Sequence, residues 1–135
     1  MKLFIDIDGV LLTTKLTKPA ENLREFIDYI LENFDCYWLT THCKGDTKPT
    51  IEYLAMFLDD EIVNRLRQIS PTNWTTLKTE VFDFSSNFLW LDDYPLQAEI
   101  AVLKENNASK SLIIVDLNQK DELKRVIEFL NKNSG

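Results

Sequence analysis

The chain has 135 residues, 44% of them hydrophobic, and a formal net charge of −7 with a pI ≈ 4.7. This length predicts one domain with its own buried core, and the acidic balance disfavours binding to nucleic-acid backbones. No apolar run approaches the ~20 residues of a membrane span, and the N-terminus does not read as a signal peptide. We therefore expect a cytoplasmic protein with no membrane partner.

The first segment combines a short strand with two acidic residues. The apolar run Lys2–Ile5 is followed by Asp6, Asp8 and Gly9. Residues two apart lie on one face of a continuing strand, so both carboxylates aim at one point and repel unless a cation or a shared proton lies between them. Aspartate and glycine are also common in plain turns, but the pattern favours a divalent metal and a nucleophile beside an acid or base.

A polar connection and an amphipathic helix follow this strand. The segment Gly9–Lys18 is rich in threonine and lysine and is predicted to be a loop or small hairpin. The helix has Pro19 near its start. Its apolar residues recur at helical spacing, at Leu23, Phe26, Ile27, Ile30, Leu31 and Phe34.

The second predicted strand, Cys36–Leu39, ends at Thr40 and leads into a turn that holds His42 and Cys43. Nothing suggests secretion, so both cysteines are expected to be reduced. Because His42 is the single histidine of the chain, a Cys/His metal site is disfavoured. We expect His42 to be a solvated turn residue and Cys43 not to be a nucleophile.

The second half of the chain repeats the alternation of helices and strands. Two short helices are predicted from two apolar sets, Ile51, Leu54, Ala55 and Leu58 after Pro49, and Ile62, Leu66 and Ile69. A polar stretch then leads to Lys78. The remaining predicted elements are the strand Phe88–Leu91 with Asp92 and Asp93 behind it, a helix over Leu96–Lys104, the strand Leu112–Val115, and a last helix around Leu123–Leu130 with Asn118 as its N-cap.

Nearly continuous apolar strands alternating with helices predict an α/β protein. Such strands are buried on both faces, as in a parallel sheet, so we expect a three-layer, Rossmann-like fold with a central parallel sheet. Ligands of these folds bind at the carboxyl ends of the strands. That edge is where Asp6, Asp8, Thr40, Asp92 and Asp93 are expected to converge.

Four motifs in this order resemble the haloacid dehalogenase-like (HAD) superfamily. Its Asp-x-Asp-Gly motif is matched by Asp6-Ile7-Asp8-Gly9, and its strand ending in threonine or serine by Tyr37-Trp38-Leu39-Thr40. Its lysine is best matched by Lys78, and its acidic pair after a strand by Asp92-Asp93. The resemblance spans residues 2 to about 116. It implies a HAD-like fold and phosphoryl transfer.

The resemblance also implies a role for each motif residue. Asp6 would be the nucleophile that forms an aspartyl-phosphate, and Asp8 the general acid and then base. Thr40 would donate a hydrogen bond to the phosphoryl group, and Lys78 would neutralise its charge. The Mg²⁺ ligands would be Asp6, the backbone carbonyl of Asp8, and Asp92 or Asp93. An aspartate at position 8 points to a Mg²⁺-dependent phosphatase or a phosphomutase-like activity.

The segments that hold cap domains in this superfamily are short here. Residues 10–35 and 41–77 are too short for an additional domain, so we expect a single domain over residues 1–135 with no large cap and an open site. Such a site suits a bulky phosphorylated substrate, or needs cover from a second copy in a homo-oligomer. The segment Thr13-Thr14-Lys15 would line the entrance. Trp74 and Tyr94 would either line it or simply pack, and the alternative to His42 as a solvated turn residue is that it lines the entrance and contacts substrate.

Two other functions compete with catalysis by a HAD-like phosphatase. A response-regulator receiver domain also combines acidic residues, a threonine and a lysine at strand ends, but its order differs: here an acidic pair follows Lys78. A non-catalytic protein of the same fold could bind a metal or a phosphorylated partner through this face. Because fold alone does not decide function, this binding function is the alternative to the phosphatase.

Overall fold

The computed structural model describes residues 1–133. Within them lies one sheet of four strands, all parallel, in the spatial order β2-β1-β3-β4. The strands are β1 (Lys2–Ile5), β2 (Asp35–Trp38), β3 (Phe88–Asp92) and β4 (Leu112–Ile114). The predicted parallel sheet and its strand positions are confirmed to within one or two residues.

Helices lie between consecutive strands, and one more follows the last strand. They are α1 (Leu23–Asn33), α2 (Lys48–Ala55), α3 (Asp60–Leu66), α4 (Gln97–Glu105) and α5 (Glu122–Asn133), and short 3₁₀ turns cover Lys78–Val81 and Ser109–Ser111. The predicted α1 ends one residue before Phe34, which is buried just beyond the helix. The predicted N-cap of α5 was wrong. Asn118 lies in a turn, where its backbone N–H donates to the Asp116 carboxylate, and the helix begins only at Glu122.

Two separate apolar clusters cover the two faces of the sheet. Alternate residues of β1 point to opposite sides: Leu3 and Ile5 belong to the larger cluster, with α1, α3 and α5, whereas Phe4 belongs to the smaller one. The smaller cluster includes Leu103 of α4 and is rich in aromatic side chains. All five residues of β3 are buried, as expected for a strand covered on both faces. The model is thus an α/β protein consistent with the predicted three-layer fold.

The connection after β1 forms the small hairpin that was one of the two expected structures, with Leu12 and Pro19 paired antiparallel, but its first part is apolar. Val10, Leu11 and Leu12 are fully buried in the larger cluster, and their backbone N–H groups all donate to the carbonyl of Ile7. This tight turn directs the chain back under the carboxyl end of β1. The polar part of the loop is therefore confined to residues 13–18.

Residues 41–77 contain α2 and α3, whose buried residues Leu54 and Leu66 belong to the larger cluster. Ser70 then pairs alongside the outer strand β2, with its backbone N–H bonded to the Cys36 carbonyl. This segment therefore forms part of the main body of the domain. Among the described residues, no helix combines the length and the apolar character needed to cross a membrane.

Candidate active site

The parallel sheet brings the ends of three strands together. The Asp6 backbone N–H donates to the Leu91 carbonyl at 3.2 Å, so the residues that follow β1 and β3 are neighbours. The Leu39 N–H donates to the Ile5 carbonyl at 2.8 Å, which places Thr40 at the same edge. The strand pairing continues beyond the last residues of the strands. The predicted site residues therefore lie at one edge of the sheet, as expected for parallel strands.

A lysine and three carboxylates form the centre of the site. One carboxylate oxygen from each of Asp6, Asp92 and Asp93 lies within 4.8 Å of the others. The Lys78 Nζ donates to Asp6 Oδ2 at 3.0 Å and to Asp92 Oδ2 at 2.7 Å. The side chains of Lys78 and Asp92 are only 11% and 2% exposed. One ammonium facing three carboxylates leaves negative charge for a further cation to neutralise.

Burial and mutual repulsion perturb this cluster. Burial raises the pKa of Asp6 from its ordinary value to about 6; Lys78 opposes this shift and Asp92 adds to it. Burial and then the Asp92 charge raise the pKa of Asp93. For Lys78, burial lowers the pKa, but the attraction of Asp6 and Asp92 outweighs that effect and the net shift is upward. Carboxylates held in an unfavourable charged state are typical of functional sites.

A buried glutamate holds the backbone at Lys78 through a hydrogen bond. Glu99 of α4 is 3% exposed, and its carboxylate accepts the backbone N–H of Lys78 at 2.7 Å and that of Leu96 at 2.8 Å. The preceding loop is organised by Glu80, which accepts hydrogen bonds from residues 75–77. These bonds hold the pKa of Glu80 down at about 2. The sequence pattern did not single out either glutamate, because each acts through a backbone contact.

Gly9 is needed for its backbone conformation and for the space that the Asp93 side chain occupies. Its φ is +86°, in the left-handed region that favours glycine. A side chain at this position would overlap the Asp93 carboxylate and its Cβ. The glycine predicted to allow a sharp turn therefore also makes room for an acidic residue of the cluster.

Asp8 makes a different set of contacts from the three clustered carboxylates. Tyr53 Oη donates to Asp8 Oδ1 at 2.7 Å, and His42 Nε2 lies 2.8 Å from Asp8 Oδ2. Within residues 1–133, the tight carboxylate group comprises Asp6, Asp92 and Asp93 without the Asp8 side chain. The resemblance implies that Asp8 binds the metal through its backbone carbonyl and acts as an acid or base through its side chain. The contacts of the side chain with Tyr53 and His42 are compatible with both roles.

His42 lies in a turn, as expected, but its side chain is only 26% exposed and is not simply solvated. Its ring stacks on Tyr53 with centroids 3.8 Å apart and planes at 14°. Its backbone N–H lies 3.3 Å from the Thr40 hydroxyl, and its carbonyl accepts the hydroxyl of the buried Thr50 at 2.9 Å. Thr40 itself is 1% exposed. His42 thus links the residue at the end of β2 to Asp8, and Tyr53 was missed because nothing near it in sequence indicates this contact.

A cavity of about 340 Å³ opens beside the cluster. Gly9, Asp93 and Tyr94 line one side of it, and residues 13–15 and 114–118 line the others. Tyr94 is 83% exposed, so its ring is free to contact a bound molecule. Residues 13–15 were expected to line the entrance of the site, and they line this cavity. Trp74, in contrast, is buried in the smaller apolar cluster and serves packing.

The two cysteines are buried and unpaired. Burial raises the pKa of Cys36 to about 12, which suits an inert core residue. Cys43 is fully buried in the larger cluster, in keeping with the expectation that it is no nucleophile.

No family model, curated protein or solved structure matches this chain.

Proposed function

We propose that this protein is a Mg²⁺-dependent phosphatase that hydrolyses phosphomonoesters through an aspartyl-phosphate at Asp6, as its motifs resemble those of the HAD superfamily. The observation that carries the proposal is the partly buried group of Asp6, Asp92 and Asp93 with Lys78 bonded to two of them. The lysine suits the oxygens of an anionic phosphoryl group, and the carboxylates suit the cation that the transfer of such a group needs.

The donor set fits Mg²⁺, a hard ion that takes carboxylate and carbonyl oxygens. Asp6, Asp92 and Asp93 would hold it together with the backbone carbonyl of Asp8. When bound, the ion would supply the positive charge that lets an anionic nucleophile approach an anionic phosphate. Asp93, a member of this group that packs against Gly9, also lines the cavity, which would receive the rest of the substrate.

The protein groups carry out two successive transfers. A carboxylate oxygen of Asp6 attacks phosphorus while the bond to the leaving oxygen breaks, and the Asp8 carboxyl gives its proton to that oxygen. The Asp8 carboxylate then takes a proton from water, whose oxygen attacks the phosphorus. The bond between Asp6 and phosphorus breaks, which releases inorganic phosphate and restores Asp6. Thr40 and Lys78 would bind the phosphoryl oxygens in both steps.

Phosphate release from a generic aryl phosphate tests this proposal. We expect turnover by the wild-type protein in the presence of Mg²⁺, loss of turnover on addition of a chelator, and recovery when Mg²⁺ is restored. Circular dichroism checks that the chelated protein is still folded, so that the lost turnover reports on the site. Folded protein that binds Mg²⁺ but releases no phosphate from any of a panel of phosphomonoesters would instead favour the alternative, a binding protein of the same fold.

A further inference from the structure

We infer that His42 and Tyr53 are positioning residues for Asp8: they hold its carboxylate apart from the three clustered carboxylates and orient it for proton transfer. This inference rests on the proposed function. It is carried by the contacts of Asp8, whose two oxygens are each engaged by a different aromatic side chain, at 2.7 Å for Tyr53 and 2.8 Å for His42.

The two aromatic side chains form one rigid unit. Their rings are stacked, and Tyr53 also packs edge-on against Phe57 with centroids 5.3 Å apart. The Thr50 hydroxyl, from the first turn of α2, bonds the His42 carbonyl and ties the turn to the helix that carries Tyr53. Their donor atoms are therefore fixed relative to the sheet edge, which is what orienting a neighbouring carboxylate requires.

Tyr53 is suited to act as a permanent donor. Its hydroxyl lies 2.7 Å from Asp8 Oδ1 and has the one hydrogen that this contact needs. A carboxylate only accepts hydrogen bonds, so His42 Nε2 carries the hydrogen when Asp8 is ionised. Without these donors the Asp8 side chain would be free to turn towards any cation held by Asp6, Asp92 and Asp93. It would then be lost as a proton donor to the leaving group.

Leaving-group dependence separates positioning from a general structural role. A nitrophenolate departs readily without a proton, whereas an alkoxide needs one, so only the alkyl phosphate depends strongly on Asp8 as an acid. The ratio kcat/KM is the proper measure, because it excludes the later hydrolysis of the phosphorylated enzyme, which is common to both substrates. Tyr53→Phe removes only a hydroxyl and retains the stacked ring.

We expect Tyr53→Phe and His42→Phe to lower kcat/KM for an alkyl phosphate at least about tenfold more than for nitrophenyl phosphate. Asp8→Asn should show the same selectivity with a larger effect, and adding Tyr53→Phe to Asp8→Asn should cause no further loss. Tyr29→Phe, on α1, is the matched control and should change neither substrate. Equal losses on both substrates, or a further loss in the combined variant, would overturn the positioning role and leave the proposed phosphatase intact.

A second measurement does not depend on activity. His42 is the only histidine, so its ring-nitrogen NMR signals need no assignment among several candidates. They should shift in Asp8→Asn and in Tyr53→Phe and stay unchanged in Tyr29→Phe. Unchanged signals in the first two variants would overturn the inference whatever the kinetics show. If the signals shift in these two variants but the wild-type protein shows no turnover, the contacts exist and the phosphatase is refuted. A role for the pair in catalysis is then refuted with it.

Discussion

Replacing Asp6 by asparagine should lower phosphatase turnover by at least about a thousandfold, as expected when the nucleophile of a covalent mechanism is removed. An amide has the shape of the carboxylate but attacks phosphorus far less readily. The variant should nevertheless remain folded, because Asp6 contributes charge to the site and no essential apolar packing. Lys78 keeps its 2.7 Å bond to Asp92 in this variant.

The stability of this variant distinguishes a catalytic residue from a structural one. The raised pKa of Asp6, about 6, means that the folded state disfavours the carboxylate relative to the unfolded state. Such a group stabilises the fold fully only below its unfolded pKa, and this contribution is lost as the pH rises through about 6. At neutral pH, Asp6→Asn should therefore unfold at an equal or higher urea concentration than the wild type.

Urea unfolding and phosphate release, measured on the same preparations, check this prediction. Asp60→Asn, an exposed change at the start of α3, is the control and should keep full turnover. Retained turnover in Asp6→Asn would exclude Asp6 as the nucleophile. A large loss of stability together with the loss of turnover would indicate that Asp6 is needed for the fold.

Replacing Lys78 by methionine should abolish turnover and also destabilise the fold by about 3–5 kcal/mol at neutral pH, the usual cost of leaving buried charges unpaired. Methionine fills a similar volume, so the cost comes mainly from charge. Asp6 and Asp92 would then face each other with no cation between them. The pKa of Asp6 would rise further, because only the hydrogen bond from the Ile7 backbone N–H would be left to oppose burial and the Asp92 charge.

The pH and metal dependence of this defect follow from its cause. Because the pKa of Asp6 would lie above its unfolded value, protonation favours the folded state, and the deficit should shrink as the pH falls from neutral towards about 4. Added Mg²⁺ should also restore stability, since a ligand that binds only the folded state stabilises it. Urea denaturation at two pH values, with and without Mg²⁺, measures both effects. A deficit no larger than that of the exposed control Lys104→Met on α4 would contradict this account.

The strands and helices could be predicted because each leaves a local pattern in the sequence. Continuous apolar runs located all four strands, and helical spacing located α1 and α5, whose buried residues repeat every three or four positions. Convergence of Asp6, Asp92 and Asp93 followed from the rule that parallel strands present their carboxyl ends at one edge. These expectations depend only on residues that lie close together in the chain or on the topology of the sheet.

The partners of Asp8 could not be predicted, because they come from distant parts of the chain. His42 and Tyr53 lie 34 and 45 residues beyond Asp8, and a lone histidine in a turn gives no indication of its partner. The same holds for Glu99, whose contact to the Lys78 backbone spans 21 residues. The geometry of the turn before α5 could not be predicted either. Asparagine is a good N-cap residue, but the turn that holds Asn118 ends before α5 begins.

The most direct test of the central claim is to locate the phosphoryl group on the protein during turnover. Wild-type protein is mixed with Mg²⁺ and an aryl phosphate, quenched in acid and digested, and the peptides are analysed by mass spectrometry. We predict a phosphorylated N-terminal peptide with the group on Asp6, absent without Mg²⁺ and absent in Asp6→Asn. Turnover with the phosphoryl group on another residue, or with none on the protein at any time, would contradict a covalent mechanism at Asp6.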